Sequence, residues 1–236
     1  MPLNGIFKIS GKFVQKKSAL ENIINQLHEL YQRQIFNKIV ILSGGGRLAN
    51  FIRISDETLT IGPDLSHWMA ILAMDINGEL ISQLSNLNVT SDINEIKQVE
   101  RIFSVFLPYS FLKRKDELPH KWEVTSDSIA LYICRELAFS ECYLIKDVDG
   151  ILLKDGQLKK NLTTEEYQRL KKEKKLLAII NKLKRSQPID QYLPSIIDKF
   201  KIPCVILNGY KRNIINFFNL GATQDTNTPF TKLDPS

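Results

Sequence analysis

Cysteine and histidine are scarce in this 236-residue chain, with three of each. Cys134, Cys142 and Cys204 form no C-x-x-C pair and leave an odd one over, which argues against a disulfide framework or a zinc site. His28, His67 and His120 are scattered, and no Ser/His/Asp nucleophile set is visible, so metal-hydrolase and serine-hydrolase chemistry are disfavoured. The P-loop pattern G-x-x-x-x-G-K-[ST] is absent. No apolar run approaches the ~18 residues of a membrane span, and no apolar signal region opens the sequence. Internal repeats and low-complexity linkers are missing too. A soluble protein of the reducing cytoplasm, contacting no membrane, is expected.

What remains is 43 % apolar, enough to bury a full core as one large or two-lobed domain. The formal charge of +6 is moderate. Much of it lies between Arg169 and Arg185, where every charged residue but Glu173 is basic. Leu176, Leu177, Ile179, Ile180 and Leu183 are interleaved there. This reads as the solvated face of a packed helix rather than a nucleic-acid site, although basic charge also draws phosphates and nucleotides.

Short apolar runs alternate with helical spacing. Strands are expected at Gly5 to Ile9, Lys38 to Leu42, Val105 to Leu107, Cys142 to Ile145 and Pro203 to Leu207. Leu20, Ile23, Ile24, Leu27 and Tyr31 mark the first long helix. Others are expected at Leu48 to Ile54, from Gly62-Pro63-Asp64 to about Leu84, Ile93 to Phe103, Thr164 to Lys184 and Ile189 to Phe200. Thr125 or Ser126 caps a helix bearing Ile129, Ile133 and Leu137, and Asp155-Gly156 marks a hairpin. The alternation implies an α/β fold, a three-layer α/β/α sandwich on a mainly parallel central sheet. Residues 223–236 read as a loosely ordered polar tail.

In such sheets, ligands sit beyond the carboxyl ends of the strands. Those ends read Lys8-Ile9-Ser10-Gly11, Ser43-Gly44-Gly45-Gly46, Lys146-Asp147-Val148-Asp149-Gly150 and Asn208-Gly209. Two glycine turns between strand and helix aim N–H groups and a positive helix end at anions, the layout of a phosphotransferase. Gly44, Gly45 and Gly46 let backbone approach a ligand closely. Lys8, beside the first turn, suits an electrostatic clamp on a moving phosphoryl group. Asp127 opens a helix, where it either orients Lys8 or simply complements the helix dipole. Asp147 and Asp149 are candidates for magnesium or ribose, or are plain turn residues. His67-Trp68 and His120-x-Trp122 are either acceptor-pocket pairs or half-buried aromatics beside satisfied histidines.

Lys8-Ile9-Ser10-Gly11, Ser43-Gly44-Gly45-Gly46, Thr125-Ser126-Asp127-Ser128-Ile129-Ala130 and the stretch Leu144 to Ile151 occur in the order of the amino acid kinase superfamily, and the chain resembles it over roughly residues 6 to 221. The stretches His67 to Asp75, Leu118 to Ser128 and Val205 to Tyr210 resemble its [5-(aminomethyl)furan-3-yl]methyl phosphate kinase branch, of methanofuran biosynthesis. The resemblance implies ATP and Mg2+ as cofactors, transfer to a small phosphorylated metabolite, and a homo-oligomer. It implies that Lys8 contacts the transferred phosphate and that Asp127 organises it. Ser10, Gly11, Lys146, Asp147, Asp149 and Gly150 would serve the nucleotide. Gly44, Gly45, Gly46, Ser126, His67 and His120 would serve the acceptor. Residues 1–222 would form the kinase-like domain, its acceptor half about 1–140 and its nucleotide half about 141–222. Isopentenyl phosphate and uridylate are alternative acceptors, and a non-catalytic binding protein is the rival of another class. Three departures stand out: Ser10-Gly11-Lys12 replaces the usual Gly-Gly-Ser, a second lysine after Gly156 has no counterpart, and a late Gly-Thr signature reads Gly221-Ala222-Thr223.

Overall fold

The computed structural model describes residues 2–181, 184–219 and 228–236, with side chains omitted for 179–181 and 184–186. Strand β1 (Leu3–Ile9), the one-turn helix α1 (Gly11–Val14) and α2 (Lys17–Gln32) open the chain. Strand β2 (Phe36–Ser43) runs into α3 (Gly46–Leu59) and α4 (Pro63–Ser85). β3 (Asn88–Thr90), α5 (Ile93–Gln98), β4 (Ile102–Phe106), α6 (Pro108–Lys115) and α7 (Ser126–Glu136) follow. Next come β5 (Cys142–Lys146), the hairpin of β6 (Ile151–Leu152) and β7 (Leu158–Lys159), β8 (Asn161–Thr163) and α8 (Thr164–Lys172). A second hairpin, β9 (Ile179–Asn181) with β10 (Lys184–Ser186), precedes α9 (Leu193–Phe200), β11 (Cys204–Asn208), α10 (Asn213–Asn219) and β12 (Phe230–Asp234).

The central sheet has the order β3-β4-β2-β1-β5-β11-β12-β8. Every neighbouring pair is parallel except β11 with β12. Alternate residues feed opposite cores, as a parallel sheet covered on both faces requires. Ile6, Val40 and Leu42 join α7 and α9 on one side. Phe7, Ile39 and Ile41 join α2 on the other, where Leu20, Ile23, Ile24, Leu27 and Leu30 form the buried stripe. The α/β three-layer expectation is met.

Three expected elements are corrected. The helix expected over Thr164 to Lys184 stops at Lys172. Lys174 turns left-handed at φ 56°, and the basic segment continues as a hairpin. The stretch Ile93 to Phe103 divides into α5 and the start of β4. The end of the expected polar tail is ordered: Phe230–Asp234 is a sheet strand with Thr231 and Leu233 buried. The Gly221-Ala222-Thr223 signature and the boundary at 222 lie outside the described residues.

Thr231 ties this strand to the first hairpin. Its buried Oγ1 accepts the Ile151 N–H at 2.8 Å and donates to the Lys159 carbonyl at 2.7 Å. Thr231→Val leaves both backbone groups without a partner. We expect a loss of about 2–4 kcal/mol, read from the urea unfolding midpoint.

Candidate active site

Parallel register brings the strand ends to one edge. Ile9 pairs with Ser43 on one side and Ile145 on the other, and Asn208 pairs with Lys146. Lys8 pairs with Leu144, so Lys146, two residues on, projects from the same sheet face as Lys8. That face is the one α7 covers, and Asp127 sits in the first turn of α7.

The three side chains meet in the interior. Lys146 Nζ lies 2.6 and 2.7 Å from the two Asp127 oxygens, and Lys8 Nζ lies 3.0 Å from Oδ1. All three residues are buried. Burial pulls the Lys8 ammonium down to about 8, with Lys146 adding to the effect and Asp127 opposing it. Burial would raise the Asp127 carboxyl, but Lys146 and Lys8 outweigh it and hold it at about 2. Two ammoniums therefore share one carboxylate.

Asp190 holds that turn in place, and the sequence reading missed it. Its carboxylate accepts the N–H and hydroxyl of Thr125 at 3.0 and 2.9 Å, and those of Ser128 at 3.0 and 2.6 Å. It also accepts the N–H groups of Tyr192 and Leu193 at 3.1 and 2.8 Å, so one side chain caps both α7 and α9. Burial, then the Asp127 charge, push its carboxyl upward despite these donors. The only sequence signal is local: an aspartate just before Leu193-Pro194 marks a helix start. Its partners on α7 lie more than 60 residues away.

The two glycine turns face each other. A Cβ on Gly11 would come within 2.4 Å of Gly46 N and 2.6 Å of Gly44 O. A Cβ on Gly44 would meet Gly11 N at 3.0 Å, Ser126 Oγ at 3.2 Å and Lys8 Cε at 3.3 Å. Gly46 has φ +57°, and Gly45 is pressed against Ala49. Beside them opens a cavity of about 820 Å³, within the usual size of a small-molecule site. Ser10, Lys12, Asp127, Lys146 and Asp147 form one part of its wall, Arg53 and Trp122 another, and Tyr167, Ala178 and Gln187 to Gln191 a third.

Other expected site residues fall elsewhere. Asp147 lines the cavity but pairs with Lys12 at 2.8 Å. Asp149 accepts from Asn208 Nδ2 at 2.6 Å, and Gly150, at φ +141°, packs against Thr231. Neither is among the residues lining the cavity. His67 and His120 are likewise not brought to it. Their rings stack at 4.5 Å, and His120 spends both nitrogens on Asp64 and Asp116 at 2.6 and 2.7 Å. Burial lowers His67 to about 4. His67 also packs edge-on against Trp68, with ring centroids 5.0 Å apart.

Residues 6–208 match the amino acid kinase family. The chain belongs to that family. A relative within it, the [5-(aminomethyl)furan-3-yl]methyl phosphate kinase of Methanocaldococcus jannaschii, is 31 % identical over 210 residues, covering 86 % of this chain and 87 % of its own. Among solved structures, UMP kinase from Ureaplasma parvum superposes with a TM-score of 0.68 at 18 % identity, covering 99 % of both chains. Carbamate kinase from Giardia lamblia, bound to AMP-PNP, gives 0.61 at 10 % identity, covering 100 % of this chain and 99 % of that one. At those identities the structures speak for the fold alone. As a member of the family the protein is a kinase.

Asp190→Asn replaces an acceptor for six hydrogen bonds with a group that presents its own donors. We expect about 3 kcal/mol of destabilisation in urea unfolding, together with reduced protection of the Thr125 and Ser128 amides in hydrogen exchange.

Proposed function

We propose that this kinase transfers the γ-phosphoryl group of ATP to a small phosphomonoester, yielding a diphosphate. The favoured acceptor is [5-(aminomethyl)furan-3-yl]methyl phosphate, with isopentenyl phosphate or UMP as alternatives. One observation carries the reading: two buried ammoniums gathered on Asp127 beside a cavity large enough for both substrates. The acceptor is assigned to the half built from about residues 1–140 and the nucleotide to the half from about 141–222. An acceptor phosphate oxygen bonds to the γ-phosphorus as the bond from that phosphorus to the β–γ bridging oxygen breaks, releasing ADP. Lys146, on the cavity wall, and Lys8 behind it offset the charge that gathers on the oxygens. Lys146 thereby supplies the second lysine that the sequence motif left unassigned.

The carboxylates here are already engaged by Lys8, Lys146, Lys12, Asn208 and backbone donors. No set of three or more metal-ligating side chains is assembled among the described residues. Mg2+, whose role is to neutralise the nucleotide phosphates, would be carried in on them, with Asp147 among the carboxylates lining the cavity.

Coupled ADP release with each of the three acceptors tests this reading. Lys8→Ala, Asp127→Asn and Lys146→Met should each lower kcat by about 100-fold or more. Wild-type protein that binds ATP but releases no ADP with any of them would leave the non-catalytic binding protein. The charge on Lys8 also sets a pH limit, because it is lost as pH rises through about 8. We expect kcat/KM to fall on that alkaline side, and Lys8→Arg to remove the fall, since guanidinium keeps its proton.

We also propose a homodimer through α4, a helix with apolar residues on its outer as well as its inner face. Trp68, Ile71, Met74 and Ile81 face the protein, while Leu65, Leu72, Ile76 and Leu80 form an exposed stripe opposite them. An apolar stripe on a helix normally faces a packing partner. With Leu48, Phe51, Ile54, Leu59 and Leu84, the exposed apolar side chains of α3 and α4 sum to on the order of 900 Å², about one partner's share of a stable interface. The charged residues of α4 are all acidic, which disfavours an anionic membrane as the occupant. Light scattering should give twice 27.1 kDa for the wild type and a monomer for Leu72→Glu/Ile76→Glu. Leu177→Glu, at an exposed site elsewhere, should remain dimeric.

A further inference from the structure

Arg53 was singled out by no motif, yet its surroundings are built. It lies on α3, two turns beyond Gly46, and its side chain leans back toward that end as helical side chains do. Its Cζ sits 4.5 Å from the centroid of the Trp122 ring. Trp122 is fixed in turn, its Nε1 donating to Asp56 Oδ2 at 2.8 Å. The second Asp56 oxygen accepts the Gly62 N–H at 3.0 Å, so both oxygens are engaged away from Arg53. Among the described residues, no carboxylate lies within ion-pair distance of Arg53.

A guanidinium stacked by its face keeps its in-plane N–H groups available, and their fork matches two oxygens of a phosphate. Arg53 and Trp122 also form the shared wall between the main cavity and a smaller recess of about 340 Å³ lined by Asp56, Glu57, Thr60, Gly62 and Pro63; the two carboxylates there leave the main cavity as the side on which the fork meets an anion. We propose that Arg53, held on Trp122, is the specificity-determining residue that selects a phosphomonoester as acceptor by gripping its phosphate. This rests on the kinase reading above for the word acceptor, but the anion site itself does not. A carboxylate fits the fork but brings a single negative charge, and a neutral alcohol brings neither the charge nor a pair of acceptor oxygens.

Trp68 and Trp122 are the only tryptophans, so fluorescence reports on the stack directly. Inorganic phosphate should produce a saturable change in wild-type emission that acetate does not, and Trp122→Phe should remove it. In Arg53→Met the phosphate affinity, measured by calorimetry, should fall by about 10-fold or more while ATP affinity is unchanged. Arg53→Lys, which keeps the charge but loses the fork, should recover only part of it. In turnover, the acceptor KM should rise with little change in the KM for ATP. Phosphate binding unaltered in Arg53→Met, or lost together with ATP binding, overturns the proposal, as does a wild type that binds no phosphate. Phosphate binding through Arg53 without ADP release from any acceptor would sink the kinase reading and leave the anion site standing. ADP release with an unchanged acceptor KM in Arg53→Met would do the reverse.

Discussion

The carboxylate of Asp127, shared between two ammoniums, is the constraint around which the site is organised. Any one of these charges alone in the interior would be expelled or neutralised, because desolvation exceeds what a single neighbour returns. Together they tolerate burial, but only if three elements are held in register. Lys8 comes from β1, Lys146 from the adjacent β5, and Asp127 from the helix that covers both. A one-residue slip of either strand would turn its lysine to the opposite face, toward Phe7 and Ile145. The parallel sheet therefore does more than carry the site, because its register is part of the electrostatics.

Around that centre the backbone is packed too tightly for side chains. The first glycine turn touches the second, and Ser126 closes the third side. Asn77 Nδ2, from α4, donates to the Gly44 carbonyl at 2.7 Å and fixes the second turn from behind. Backbone bonds hold the turns as well, the Gly44 N–H donating to the Ile9 carbonyl at 2.8 Å and the Ser10 N–H to that of Ile145 at 2.9 Å. Asp190 joins the N-termini of α7 and α9 and so couples the turn bearing Asp127 to the wall segment Gln187 to Gln191.

Much of this was legible because it is local. Glycines between a strand and a helix, a lysine at a strand end and an aspartate in a first helical turn each leave a short pattern, and Lys8, Gly44 and Asp127 could be picked from it. Lys146 was visible as a site residue but expected on the nucleotide. Its contact with Asp127 depends on the pairing of β1 with β5, which lie more than 130 residues apart. Asp190 and Arg53 were invisible for the same reason, since their partners come from distant chain. The segment from Arg169 to Arg185 misled in another way. Lysine and leucine favour helix locally, and nothing in their spacing announces the left-handed Lys174 that ends α8. The last residues misled through composition, since three of the five residues of β12 are polar, yet the strand pairs between β11 and β8 and buries Thr231 and Leu233.

The charge of the cavity follows from these pairings. Lys146 is spent on Asp127 and Lys12 on Asp147, while Asp190 is spent on hydroxyls and backbone. That leaves Arg53 and Lys171 as lining cations without an ion-pair partner among the described residues. They stand on different walls, Arg53 beside Trp122 and Lys171 at the end of α8 near Tyr167. Two places around one cavity thus carry positive charge that no ion pair among the described residues offsets. Two substrates that each bring phosphate match that distribution better than one. On the proposed reading, the internal ion set fixes where the phosphoryl group moves, and the walls decide which molecules present it.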